Sequence, residues 1–203
     1  MANKLSYIYI DTGAMYRALT FKSLQENIDI NDEQALTDLL NRTQIELIQK
    51  NEGQRIMVDK QDVTEEIRSQ HVTNQVSYIA KHPQVRVEMV KRQQALATKS
   101  GVVMDGRDIG THVLPDAELK IFLIASVEER AKRRYEENIK KGFQTDLKVL
   151  KKEIEDRDMM DSNREVAPLT KADQAIEIDT TSLSIEEVAN KILTKAAPLI
   201  EQK

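Results

Sequence analysis

Asp105, Gly106, Arg107 and Asp108 place two carboxylates and a guanidinium within four residues, beside a glycine that lets the backbone turn sharply or a ligand approach it. Carboxylates accept from amines and hydroxyls, and a guanidinium fork gives phosphate the bidentate, charge-assisted hydrogen bonds that a lysine cannot match. Taken alone, the tetrad reads equally as a surface turn held by an Asp-Arg pair. Arg157, Asp161 and Arg164 are spaced four then three, so on a continuing helix they share one face. There a carboxylate between two guanidiniums forms a structural salt bridge, or holds a ribose hydroxyl on the Asp and phosphate or base on the arginines. Arg130, Arg133 and Arg134 form a similar cluster. Thr12 and Tyr16 lie one turn apart near an expected helix N-terminus with Arg17 beside them, a place that favours an anion; otherwise Tyr16 is a core residue and Arg17 is solvated.

These groups need rigid elements behind them. Val102, Val103 and Met104, after the turn signal Gly101, read as a strand covered on both faces, and ligands of open α/β sheets bind where such strands end. Leu5 to Ile10 reads as a strand, and Asp11-Thr12-Gly13 leads into a helix from Ala14 to Leu19. Asn31 to Leu40 reads as a helix with Asn31 as its cap. Gln44 to Gln49 and Arg55 to Asp59 read as strands around the hairpin turn Asn51-Glu52-Gly53. Short helices are expected over Asp62 to Ser69 and Val72 to Ala80, and Pro83 opens a longer one to about Thr98. Leu119 to Ile124 reads as a core strand, and Ser126 with Glu129 as a capping box for the helix of the three arginines, which Gly142 breaks. Leu147 to Asp161 reads as a charged helix and Ala175 to Ile178 as a last strand. Ser184 and Glu187 cap a terminal helix that turns Ile185, Val188 and Ile192 inward. Alternating strands and helices predict an α/β fold with a parallel sheet.

Composition narrows the function classes. With 203 residues and 40% hydrophobic content the chain suits one domain with small appended lobes. It has no Cys, which removes disulfides, thiolate metal sites and cysteine nucleophiles. Its three His (His71, His82, His112) fit no metal-ligand spacing, so no protein-built metal site is expected. A net charge of −4 with 4% aromatic residues argues against nucleic-acid binding. No apolar run approaches the roughly 20 residues of a membrane span, so no membrane association and a cytoplasmic location are expected.

D-T-G-A-M-Y-R at Asp11 to Arg17, M-D-G-R-D-I-G-T at Met104 to Thr111, L-P-D-A at Leu114 to Ala117 and R-D-x-x-D-x-N-R at Arg157 to Arg164 together resemble the bacterial cytidylate kinases. S-V-E-E-R-A-x-R-R from Ser126 and D-T-T-x-x-S-I-E-E from Asp179 extend the resemblance through nearly the whole chain. It implies a P-loop kinase-like parallel sheet flanked by helices, with a monophosphate-binding lobe at about residues 22–82 and a helical lid at about 130–164, on a core of about 1–21, 83–129 and 165–203. It implies transfer of the γ-phosphoryl of ATP, with Mg²⁺, to CMP or dCMP in pyrimidine metabolism, by a monomer. Thr12, Arg17 and Arg107 then lie on the CMP phosphate with Tyr16 beside it, and Ser77, Arg86 and Asp108 read cytosine. Arg157 and Asp161 hold the ribose, Arg164 reaches toward the nucleotide and the transferred phosphoryl, and Arg130, Arg133 and Arg134 belong to the lid.

The family also carries G-x-x-x-x-G-K-[ST] after its first strand, and no such sequence occurs among these residues, which include only six Gly. By comparison Met1 to Leu5 matches the last turn of the helix following that loop. The first strand, phosphate cradle and lysine are therefore expected to be absent, and the chain as written to phosphorylate CMP poorly. The alternatives are a CMP-binding module without catalysis and a kinase for another small acceptor.

Overall fold

The structure, a computed structural model, describes residues 1–50, 53–98 and 101–200. After one helical turn, α1 (Ala2–Leu5), strand β1 (Ile8–Asp11) leads directly into helix α2 (Thr12–Gln25). Leu5, expected in the strand, is therefore helical, and Ser6 leaves the turn with a φ of 55°. Asp11 fixes where α2 starts: its carboxylate accepts from the Ala14 amide at 2.8 Å, satisfying a donor that the helix itself cannot. Helix α3 spans Glu33–Arg42 and is capped by Asp32, one residue after the Asn31 the sequence suggested.

Strands β2 (Ile45–Lys50) and β3 (Gly53–Val58) form the expected antiparallel hairpin, with Lys50 opposite Gly53; Asn51 and Glu52 of its turn lie outside the described residues. A two-residue strand, β4 (Gln61–Asp62), which the sequence did not reveal, adds to β3. The helix expected over Asp62 to Ser69 shrinks to a 3₁₀ turn at Glu66–Arg68, before α4 (Gln70–Ala80) and α5 (Pro83–Ala97), which Pro83 opens as anticipated.

Strand β5 (Val102–Asp105) runs parallel to β1, with Ile8 opposite Val102 and Asp11 opposite Asp105. Strand β6 (Ile121–Ile124) pairs in parallel with β7 (Ile176–Asp179). Among the described residues these remain two separate two-stranded sheets. The central strands are therefore less covered than their apolar runs suggested. Val102, Val103 and Met104 are only half-buried, and Leu123 is 51% exposed, because each strand pairs along one edge only. Helices α6 (Val127–Lys140) and α7 (Leu147–Ser162) form a hairpin through Gly142, whose φ of 79° suits glycine. Helix α8 (Ile185–Ile200) closes the chain, with Val188 and Ile192 half-buried but Ile185 left 92% exposed.

The main core packs Met15, Tyr16 and Leu19 of α2 against Leu36, Leu39 and Leu40 of α3, Ile79 of α4 and Met89 of α5. Ala14 and Ala18, on another side of α2, pack against Ile56, Val58, Val63 and Ile67 in a second cluster. A helix buried on both sides cannot easily shift, and α2 carries Thr12, Tyr16 and Arg17. The architecture is the α/β class with parallel strands and flanking helices expected from the sequence.

Candidate active site

The carboxyl ends of β1 and β5 bring two acids side by side. Asp11 Oδ2 takes Arg17 Nη2 at 2.9 Å, and Asp105 Oδ2 takes the Tyr9 hydroxyl at 3.0 Å. Lost solvent and the neighbouring Asp11 charge raise the Asp105 pKa, while burial and Asp105 raise that of Tyr9. Past the strand the chain must turn tightly, since Thr12 Oγ1 reaches over to donate to the Asp105 carbonyl at 2.7 Å. A Cβ on Gly106 would collide with Thr12 Oγ1 and lie 2.8 Å from Ile109 Cδ1, so the turn requires glycine. The turn and a single π-helical turn over Ile109–Val113 aim Arg107 and Asp108 to their partners.

Asp108 and Arg86 form a buried pair at 2.5 Å, their side chains 7% and 2% exposed. Arg86 also donates to the Ala80 carbonyl at 3.0 Å, tying the start of α5 to the end of α4. Its guanidinium lies 5.7 Å from the Tyr16 ring centroid, a cation-π contact. The Tyr16 hydroxyl is buried without a hydrogen-bond partner, and burial with the nearby Asp108 charge pushes its pKa up to about 12. Ser77 is buried on α4, three residues before the Ala80 carbonyl that Arg86 holds.

Asp161, at the end of α7, is the point of convergence. Fully buried, it sits 3.4 Å from Arg107 and 3.8 Å from Arg157, and Arg164 donates to its Oδ1. Helix α7 ends at Ser162, so Arg164 reaches Asp161 from just beyond it. Asp161 Oδ2 has no hydrogen bond, nor do the buried Nε atoms of Arg17, Arg157 and Arg164. Lost solvent, followed by the Arg107 charge, holds the Arg157 pKa down to about 10, with Arg17 and Arg164 pressing the same way. Burial lowers that of Arg164 as well. Three cations share one carboxylate: Arg164 and Asp161 are buried, while Arg107 and Arg157 stay 38% and 33% exposed on the open side. Such a place is suited to an anion.

A cleft of about 660 Å³ opens from Arg17 and Arg157 between α4 and the α6-α7 hairpin. The arginines of α6 divide. Arg130 pairs with Asp158 at 3.0 and 2.5 Å, bolting α6 to α7. Arg133 binds Glu129 at 2.8 Å and donates to the Thr180 carbonyl at 2.5 Å, clamping the segment between β7 and α8. Only Arg134 of the three faces the cleft. Arg68, Gln70, Lys141 and Glu153 also line it, and sequence reasoning missed them. For Glu153 a signal existed: it stands four residues before Arg157, as Arg157 does before Asp161.

Among the described residues no group of three or more His, Cys, Asp or Glu converges to form an all-protein cation cage; in phosphoryl-transfer sites Mg²⁺ is held by one or two carboxylates together with the substrate phosphates. No helix of the described residues is long and apolar enough to cross a membrane.

The family model described as cytidylate kinase matches residues 1–198. The chain is 64% identical over 203 residues to the cytidylate kinase of Bacillus subtilis (strain 168), an alignment covering all of this chain and 89% of that one. To the cytidylate kinase of Bacillus velezensis it is 66% identical with the same coverage, and to that of Oceanobacillus iheyensis 64% identical over 96% of this chain and 85% of that one. A family match over residues 1–198 and identity of this extent along the whole chain establish that the chain belongs to the cytidylate kinase family.

Proposed function

We propose that the protein transfers the γ-phosphoryl group of ATP to CMP or dCMP, giving CDP or dCDP. The observation that carries this reading is the convergence of Arg107, Arg157 and Arg164 on the single carboxylate of Asp161, an arrangement of guanidiniums suited to a phosphate monoester. The segment at about 22–82 acts as the monophosphate lobe and that at about 130–164 as the lid. Arg17 and Arg107 hold the CMP phosphate with Thr12 and the unpartnered Tyr16 hydroxyl, and Arg164 reaches toward the transferring group. Asp161 Oδ2, free of hydrogen bonds, accepts from the ribose with Arg157 alongside. Asp108 gives Oδ2 to Arg86 and keeps Oδ1 to accept from the cytosine amine, with Ser77 nearby on α4. A uracil carbonyl at that position meets the carboxylate repulsively.

No covalent intermediate is required. The CMP phosphate oxygen is the nucleophile, and in-line transfer needs alignment and charge neutralisation more than base catalysis. ATP with Mg²⁺ enters as a substrate pair. The steps assigned here are those of the acceptor side.

Titration calorimetry with CMP, dCMP, UMP, AMP and ATP tests the reading. Binding of CMP and dCMP with discrimination against UMP is expected, and absence of CMP binding overturns the assignment. A coupled ADP-release assay with CMP and ATP tests the transfer itself, and turnover with CMP is expected to exceed that with UMP or AMP. CMP binding with no turnover at all is the outcome that favours a binding module.

A further inference from the structure

Glu153, Arg157 and Asp161 follow one another at intervals of four along α7, so one stripe of the helix carries all three. Arg157 and Asp161 belong to the cationic cluster; Glu153 bonds elsewhere. Its carboxylate accepts from Gln70 Nε2 of α4 at 3.1 and 3.3 Å and from Asn74 Nδ2 at 3.5 Å. Gln70 and Asn74 are one turn apart and joined at 2.9 Å, on the helix that also carries Ser77. Three polar side chains thus bridge the two helices that form opposite walls of the cleft.

The force balance across that cleft gives the bridge a task. Arg17, Arg107, Arg157 and Arg164 repel one another, and in ligand-free protein Asp161, Asp11, Asp105 and Asp108 offset part of that repulsion. Separation of α7 from α2 would relieve it. A tie between α7 and α4 resists that separation from the far side of the cleft, and Arg68 facing Glu137 of α6 adds an attraction of the same sense.

We infer that Glu153 is a positioning residue: with Gln70 and Asn74 it latches α7 against α4, holding Arg157 and Asp161 at the acceptor site before the nucleotide arrives. The inference rests on the reading of this site as the CMP site. A latch of this kind raises apparent affinity by raising the fraction of molecules already competent to bind. Its hydrogen bonds are exposed, so a modest effect of about fivefold is expected.

The chain has no Cys, so Lys81→Cys just past the end of α4 with Glu155→Cys on α7, both exposed, gives one labelled pair for pulsed spin-label distance measurement. Native protein is expected to show one short distance with or without CMP. Glu153→Ala and Gln70→Ala each add a longer ligand-free population that CMP collapses, and each weakens CMP binding about fivefold. The double variant binds about as weakly as either single one, and Glu153→Gln, which keeps an acceptor oxygen, restores the native pattern. If the ligand-free distances of Glu153→Ala match the native ones, the latch is overturned whatever the affinity does. If native protein binds no CMP, the acceptor reading fails while the distances still decide the latch.

Discussion

At the level of single residues, two acids at the end of β5 and in the turn just beyond it have opposite fates. Asp108 is neutralised by Arg86 in a buried pair, and removing one partner strands the other's charge away from water. Arg86→Ala is therefore expected to cost about 3–5 kcal/mol in urea unfolding. Asp108→Ala should likewise destabilise, and in the molecules that remain folded it should narrow the preference for CMP over UMP; unchanged selectivity by calorimetry removes Asp108 from base reading. Asp105 faces Asp11 across the β1-β5 register instead of a cation, and its pKa is raised. A carboxyl that holds its proton more readily when folded loses stability as pH rises through the raised value, and costs nothing below the ordinary carboxylate range. Asp105→Asn keeps an oxygen to accept from Tyr9 and removes the repulsion. It is expected to unfold about 0.5 kcal/mol later than native protein at pH 7, with the gain fading to nothing by about pH 3.5.

At the level of elements, what the sequence disclosed depended on whether the deciding partner was local. Pro83 and Gly142 act on their own backbone and marked a helix start and a helix break correctly. The Ser184-Glu187 box is complete, with both reciprocal bonds formed, at 2.8 Å to the Ser184 amide and 3.3 Å from the Glu187 amide. Ser126-Glu129 is only half a box. Ser126 Oγ accepts from the Glu129 amide, but the Glu129 carboxylate turns to Arg133, and the Ser126 amide donates to Thr181 from a segment 55 residues away. Strand burial failed for the same reason, since an apolar run does not reveal how many neighbours its strand acquires. The α3 cap gives a direct check. Asp32 accepts from the Ala35 amide at 2.9 Å, whereas the Asn31 amide and side chain donate to Asp29. Asp32→Ala is expected to cost about 1 kcal/mol in urea unfolding, and Asn31→Ala less than about 0.5 kcal/mol.

At the level of the whole molecule, the arginines were visible as residue types long before their meeting place was. Arg17, Arg107 and Arg164 are separated by most of the chain and meet only because α2, β5 and α7 deliver them to Asp161 or its surroundings. The spacing of Arg130, Arg133 and Arg134 is as suggestive, yet two of those three serve the packing of α6. Burial divides the molecule in the same uneven way. Both hydrophobic clusters consist of residues between Ala14 and Leu96, whereas β6, β7 and α8 together contribute only Ile178 and Ala196 to the buried apolar set. Opening free energy follows local burial, so the part built from β6, β7 and α8 should exchange its amide hydrogens by a sub-global opening well before α2 to α5 do. CMP, held by α2, α4, α5, β5 and α7 in the proposed site, stabilises the conformations that keep those elements together. At a hundredfold excess over its dissociation constant it should add about 2.7 kcal/mol to the exchange protection of α2 and α5. The β6, β7 and α8 amides should gain little, since that unit opens without disturbing the nucleotide. Hydrogen-exchange mass spectrometry with and without CMP measures both quantities; equal gains throughout would mean that the molecule opens as one cooperative body despite its divided core.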